Sequence, residues 1–244
     1  MIDLVYKGER NVTNRGIIFD GDDTLWETAE AYDDAKLQFC SMLVEEGFSS
    51  SEILTTLEDI DVANVQNMGF SKDRFYTSMR STYRILCARH KASINDQTET
   101  DIQRVGYGVF TAEVKPSNSV REVLRKSLKA GYKLILATKG DSNIQRAKIK
   151  QSGLSPFFSA VYVLENKSDL TFRRIAEECN LDTLHSWVVG DSLRSDINPA
   201  LRAGFNAIWI KKETWAYERD SPGSSERFYE VPHLRDCLKI VCPE

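Results

Sequence analysis

A chain of 244 residues with 41% hydrophobic and 28% charged side chains has an ordinary globular composition, which excludes disordered and fibrous proteins and leaves room for one large domain or a core with an insert. The formal net charge of -4 lacks the basic excess that a nucleic-acid partner demands, so none is expected. No apolar run approaches the roughly 18 residues of a spanning helix, and residues 1–14 carry acidic side chains without a long apolar core, so neither membrane anchor nor secretory signal is expected.

Cys40, Cys87, Cys179, Cys237 and Cys242 are odd in number, scattered and free of any C-x-x-C pair, which predicts reduced, mostly buried thiols and a cytoplasmic protein. His90, His185 and His233 lie too far apart in sequence for zinc-ligand spacing.

In chain order, the first clear element is the strand Gly16–Phe19, which stops abruptly at Asp20. Residues 28–114 then carry helical patterns alone, over Ala29–Glu46, Ser51–Gln66, Ser71–Lys91 and about Thr98–Phe110. Ser119 with Glu122 reads as a capping box opening a helix that Gly131 stops. The strand Lys133–Ala137 follows, and Asp141 caps a helix ending near Gly153. Next come the strand Ala160–Leu164, the helix Asp169–Cys179 and the strands Ser186–Val189 and Asn206–Ile210. Lys211 and Lys212 read as a solvated strand end, and 220–225 as an exposed loop. Strands without polar alternation, separated by helices, mean a parallel sheet covered on both faces. The predicted fold is α/β: a doubly wound, Rossmann-like core of residues 1–27 and 115–244, with an all-helical insert at 28–114.

Polar clusters stand at the ends of four of these strands, where ligands of open parallel sheets bind. They are Asp20-Gly21-Asp22-Asp23-Thr24, Thr138-Lys139-Gly140-Asp141, Lys167, and Gly190-Asp191-Ser192 with Ser195-Asp196 beyond. Several carboxylates, a hydroxyl and an ammonium together suit a hard divalent cation and a phosphate. Each cluster alone is ordinary turn chemistry or a solvated lysine. Their agreement in order, each closing an apolar strand, carries the functional reading.

With these residues in hand, the chain resembles the haloacid-dehalogenase-like superfamily of hydrolases over its whole length. The matching motifs are D-x-D-x-T at Asp20–Thr24, the strand-end Thr138, Lys167, and Gly190-Asp191 with Asp196. The insert resembles the family's helical cap of the first class. The resemblance implies a phosphatase acting on a small phosphorylated metabolite. Asp20 would be the nucleophile and Asp22 the general acid/base. Thr138 and Lys167 would hold the phosphoryl group. Mg²⁺ would sit on Asp20, the main-chain carbonyl of Asp22, Asp191 and Asp196, the last directly or through water. Thr24 would support the loop, and Trp26 would pack or act at the cap hinge. Family dehalogenases lack the second aspartate of the first motif, so Asp22 favours phosphate chemistry over dehalogenation. Phosphomutase activity on the same core stays open, as does a receiver-like phosphoprotein switch, which the insert and Asp22 disfavour. In the insert, the charges of Arg80 and Arg84 at helical spacing read as a solvated face and Tyr83 as core, and neither Lys36 nor Lys72 stands out as a Schiff-base lysine.

Overall fold

A computed structural model describes residues 2–7, 14–116 and 118–243, with backbone alone for 2–7 and 118. It divides into two compact units, one of Met1–Glu27 with Val114–Glu244 and the other of Thr28–Glu113.

The first unit is built on a seven-stranded sheet in the order β1-β4-β3-β2-β5-β6-β7. The strands are β1 Ile2–Lys7, β2 Gly16–Phe19, β3 Lys133–Lys139, β4 Ala160–Leu164, β5 Trp187–Gly190, β6 Asn206–Ile210 and β7 Phe228–Val231. β2 to β7 run parallel, and β1 joins the β4 edge antiparallel. Side chains alternate between two apolar faces. Ile17, Phe19, Leu134, Leu136, Val161 and Val189 pack on one side, and Ile18, Ile135, Ala137, Tyr162 and Val188 on the other. That is why these strands lack polar alternation: both faces are dry. The order also places the topological switch beside β2, since the chain winds outward through β3 and β4 and then returns to β5.

The helical unit comprises α1 Ala29–Glu45, α2 Ser50–Met68, α3 Lys72–His90 and α4 Asp96–Gly108, close to the predicted spans. Its core gathers Phe39, Leu43, Ile53, Leu57, Phe75, Met79, Tyr83, Leu86 and Ile102. Tyr83, expected in the core, is wholly buried there, and its hydroxyl accepts from the Asn95 amide at 2.9 Å. Arg80 and Arg84 stay on the solvated face, 40% and 46% exposed, where both pair with Glu99.

Back in the sheet unit, α5 Asn118–Lys129, α6 Ser142–Ser152 and α7 Asp169–Cys179 cross over between strands. α5 begins at Asn118, so Ser119 lies inside its first turn rather than capping it. A wide helical turn at Leu193–Ile197 leads into α8 Asn198–Arg202, and α9 Leu238–Val241 ends the described chain. Among the described residues no helix is long and apolar enough to cross a membrane. All five cysteines are unpaired, and four are buried.

Candidate active site

The first strand end is fixed before its chemistry begins. The Asp20 amide still donates to the Val189 carbonyl at 2.9 Å, so Asp20 is pinned to the sheet. The chain then coils tightly: the Leu25 amide donates to the Gly21 carbonyl at 2.8 Å, and the Asp23 amide to the Trp26 carbonyl at 2.7 Å. Asp23 takes the left-handed conformation, φ 59°, which Asp tolerates better than most residues. Gly21 is needed because a Cβ there would lie 2.7 Å from Trp26 Cζ2 and 3.1 Å from Thr138 Oγ1. Trp26 is buried, packs in the core and pairs with Pro116.

Three predicted carboxylates converge. Asp20, Asp191 and Asp196 each present an oxygen, and these lie within 4.8 Å of one another. Lys167, 5% exposed, donates to Asp20 Oδ1 and, at 2.6 Å, to Asp196 Oδ1. Asp196 Oδ2 accepts from the Ser192 amide at 3.2 Å. Gly190 makes room for this, because a Cβ there would fall on the Asp196 carboxylate. Thr24 Oγ1 stands 3.5 Å from Asp191 Oδ1, a marginal contact.

Burial dominates the electrostatics of this cluster. It pushes the Asp20 pKa up to about 7; Lys167 opposes the shift, and Asp196 and Asp22 add to it. Asp191 is raised well above the usual carboxylate range by burial, then by Asp20, Asp196 and Asp23. Burial also works against the charge of Lys167, but Asp196 and Asp20 outweigh it and hold that ammonium above the ordinary lysine range. Three carboxylates thus stand around one ammonium at the cluster. All-oxygen donors with uncompensated charge fit a hard divalent cation such as Mg²⁺.

Asp22 points elsewhere. Its carboxylate accepts from Trp26 Nε1 at 2.7 Å, Gln145 Nε2 at 2.8 Å and Lys148 Nζ at 2.9 and 3.0 Å. Burial raises its pKa, but Lys148 with the Gln145 and Trp26 bonds more than offsets that and leaves it below the usual range. Thr138 is wholly buried at the end of β3 and donates to Gln145 Oε1 at 3.3 Å. The sheet thus gathers Asp20, Lys167, Asp191 and Asp196 by direct contact or close approach, with Thr138 against Gly21, while the side chain of Asp22 faces α6.

Several residues to which the sequence assigned no role at the site make defined contacts around it. Lys139, one step past Thr138, donates to Ser195 Oγ and Glu218 Oε1, both at 2.6 Å. Glu218 also accepts from Ser192 Oγ at 2.5 Å and Ser195 Oγ at 2.6 Å. Nothing in the local sequence marks Glu218, which sits in a short turn, Ala216–Glu218, after β6. Lys212, read as solvated, donates instead to the Asp23 carbonyl at 2.6 Å and to Glu27 at 3.0 Å. The end of β6 lies beside the first loop, so an ammonium there satisfies a loop carbonyl. Its neighbour Lys211 is exposed beside Glu230, as a strand-end lysine should be. Gln145 and Lys148 had a usable signal: they lie four and seven residues after the cap Asp141, on one helical face.

Comparison with known proteins agrees with this geometry. A pyrimidine 5'-nucleotidase of Streptococcus pneumoniae is 28% identical over 127 residues, which span 50% of this chain and 53% of that relative, about half its length. A glyceraldehyde 3-phosphate phosphatase of Methanopyrus kandleri is 22% identical over 93% of this chain and 97% of its own. The crystal structure of a haloacid dehalogenase-like family hydrolase from Xanthomonas campestris superposes with a TM-score of 0.78 at 28% identity, covering 98% of this chain and 95% of that one. The family model for haloacid dehalogenase-like hydrolases matches residues 15–204, and the chain belongs to that family.

Proposed function

We propose that this chain is a phosphohydrolase that cleaves a small phosphate monoester in two steps, through an aspartyl-phosphate on Asp20. The observation that carries the reading is the placement of Asp20: it ends the central strand, touches Lys167, and shares a buried cluster with Asp191 and Asp196. Two relatives bear the names nucleotidase and phosphatase, which fits it.

In the first step an Asp20 oxygen attacks phosphorus, the ester P–O bond breaks, and Asp22 gives a proton to the leaving oxygen. In the second, Asp22 takes a proton from water as that water attacks the phosphoryl group. The acyl-phosphate bond then breaks, releasing inorganic phosphate and free Asp20. The Thr138 hydroxyl and Lys167 ammonium hold phosphoryl oxygens while charge moves across them. Asp20, the main-chain carbonyl of Asp22, Asp191 and Asp196 would hold Mg²⁺, with Asp196 bound directly or through water. The ion would neutralise the carboxylates and the phosphoryl oxygens so that one anion can approach another. Selection of the leaving group is assigned to the inserted helical unit, in the role of a cap.

A panel of sugar phosphates, nucleoside monophosphates and phosphoglycolate-like acids, assayed with Mg²⁺ for phosphate release, tests this function. Release from at least one ester, lost on chelation, is expected. No release from any, or full activity after exhaustive chelation, contradicts it.

A further inference from the structure

Lys148 belongs to none of the strand-end clusters, yet it is one of the least solvated lysines of the sheet unit. Its side chain is 13% exposed, while Arg146, Ala147 and Lys150 around it on α6 are exposed. An ordinary surface lysine keeps its ammonium in water. Here the ammonium is withdrawn and placed on both oxygens of Asp22, 126 residues away in sequence.

Its neighbour Gln145, 4% exposed, does three things at once. Its Nε2 donates to Asp22 Oδ2 at 2.8 Å and to the Lys139 carbonyl at 3.1 Å, and its Oε1 accepts from Thr138 Oγ1 at 3.3 Å. One buried amide therefore links Asp22 to the proposed phosphate-holding Thr138. The start of α6 is itself anchored, because Asp141 Oδ1 caps it through the amides of Asn143 at 2.9 Å and Ile144 at 3.2 Å. Gln145 and Lys148, three residues apart, then lie on the same face.

The first loop does not need these contacts to close, because its own backbone bonds, Leu25 to Gly21 and Asp23 to Trp26, already do so. With Trp26 Nε1, the N–H groups of three side chains hold the two oxygens of this carboxylate in one orientation. The ordering cost of withdrawing Lys148 from water is spent on one carboxylate and its direction. We propose that Lys148, assisted by Gln145, is a positioning residue that aims the Asp22 carboxylate and couples its direction to the phosphate-holding Thr138. The inference rests on the phosphohydrolase reading with Asp22 as acid/base.

The test is a double-mutant cycle on the full chain. Lys148→Met should lower kcat by on the order of 100-fold, the loss that about 1 Å of misplacement costs a catalytic group, with KM little changed. The loss should be larger for an alkyl phosphate than for p-nitrophenyl phosphate, whose leaving group needs little help from an acid. Lys148→Arg should restore part of it. In an Asp22→Asn background the same Lys148→Met change should matter little, because a residue acting through Asp22 has nothing left to act on. An undiminished kcat in Lys148→Met, or an equal loss in both backgrounds, overturns the inference and leaves the hydrolase reading standing. Should Lys148→Met fail to fold, Gln145→Leu in the same cycle must show the same background dependence, and an equal loss there overturns the inference likewise. A wild-type chain that releases no phosphate overturns the hydrolase reading, and the inference falls with it.

Discussion

Both units of the molecule bury charge, and they do so in opposite ways. In the helical unit Arg74 and Asp61 form an ion pair with each side chain 8% exposed, completed by the Ser78 hydroxyl donating to Asp61 at 2.7 Å. Opposite charges meet there, and the pair is held inside a packed helical core. In the sheet unit Asp20, Asp191 and Asp196 crowd around the Lys167 ammonium, and Lys139, the other buried ammonium nearby, is already committed to Glu218. Like charges are forced together, and burial raises two of the three carboxylates. A matched pair serves the fold. An unmatched cluster costs stability, and the proposed Mg²⁺ would offset that cost.

The largest effect expected is on turnover. Asp20→Asn should cut kcat by about 10³-fold or more, roughly 4 kcal/mol of barrier, while leaving the protein folded and no less stable, since it relieves crowding. Retention of more than about a tenth of wild-type kcat in a folded variant would refute the nucleophile assignment. The matched pair should behave in the reverse sense. Arg74→Met strands a buried Asp61 and should cost about 3–5 kcal/mol of stability, most of it recovered in the Arg74→Met, Asp61→Leu double variant, as denaturant titration can measure. Equal and additive losses would contradict the pair.

A smaller effect links pH to the metal. The raised pKa of Asp20, about 7 against the usual carboxylate value near 4, means the folded protein holds a proton that the unfolded chain has already lost. Stability from that proton is full below about pH 4 and is lost as pH rises through about 7. Mg²⁺ competes with protons for the same oxygens, so its Tm increment should be larger at about pH 7.5 than at about pH 5.5, and absent in Asp191→Asn. An increment independent of pH, or one surviving Asp191→Asn, would count against the site. Smallest of all, Lys212→Met should cost only about 1 kcal/mol, the scale of a hydrogen bond to a carbonyl at a partly exposed site. A loss as large as that of Arg74→Met would mean the first loop depends on Lys212 far more than its contacts imply.

Most of the fold was legible because the central strands are wrapped on both faces and so appear as uninterrupted apolar runs, as at Gly16–Phe19 and Ala160–Leu164. The edge strand β7 escaped for the converse reason. Of its four residues only Val231 is buried, and the consecutive Tyr229 and Glu230 are exposed, so in sequence it resembles a loop. The helices of the insert were legible in period, and the adjacent Tyr83 and Arg84 of α3 part as their chemistry suggests, the ring into the core and the guanidinium outward. Asp20, Asp22, Thr138, Lys167, Asp191 and Asp196 stand out because each follows a strand. Glu218 and Lys212 reach the same region from beyond β6, through contacts that no local spacing encodes.

The central claim, a covalent phosphoryl group on Asp20 that Asp22 helps to remove, is tested most directly by intact-mass measurement of the Asp22→Asn chain. The variant would be mixed with Mg²⁺ and p-nitrophenyl phosphate and quenched in acid. Attack by Asp20 survives with such a leaving group, while removal of the phosphoryl group should slow by roughly 10²- to 10⁴-fold without its base. The account predicts a chain heavier by one phosphoryl group, with the added mass on the peptide containing Asp20, and none in Asp20→Asn, Asp22→Asn. An Asp22→Asn chain that turns over at the wild-type rate with no added mass, or one phosphorylated on a different residue, would contradict it.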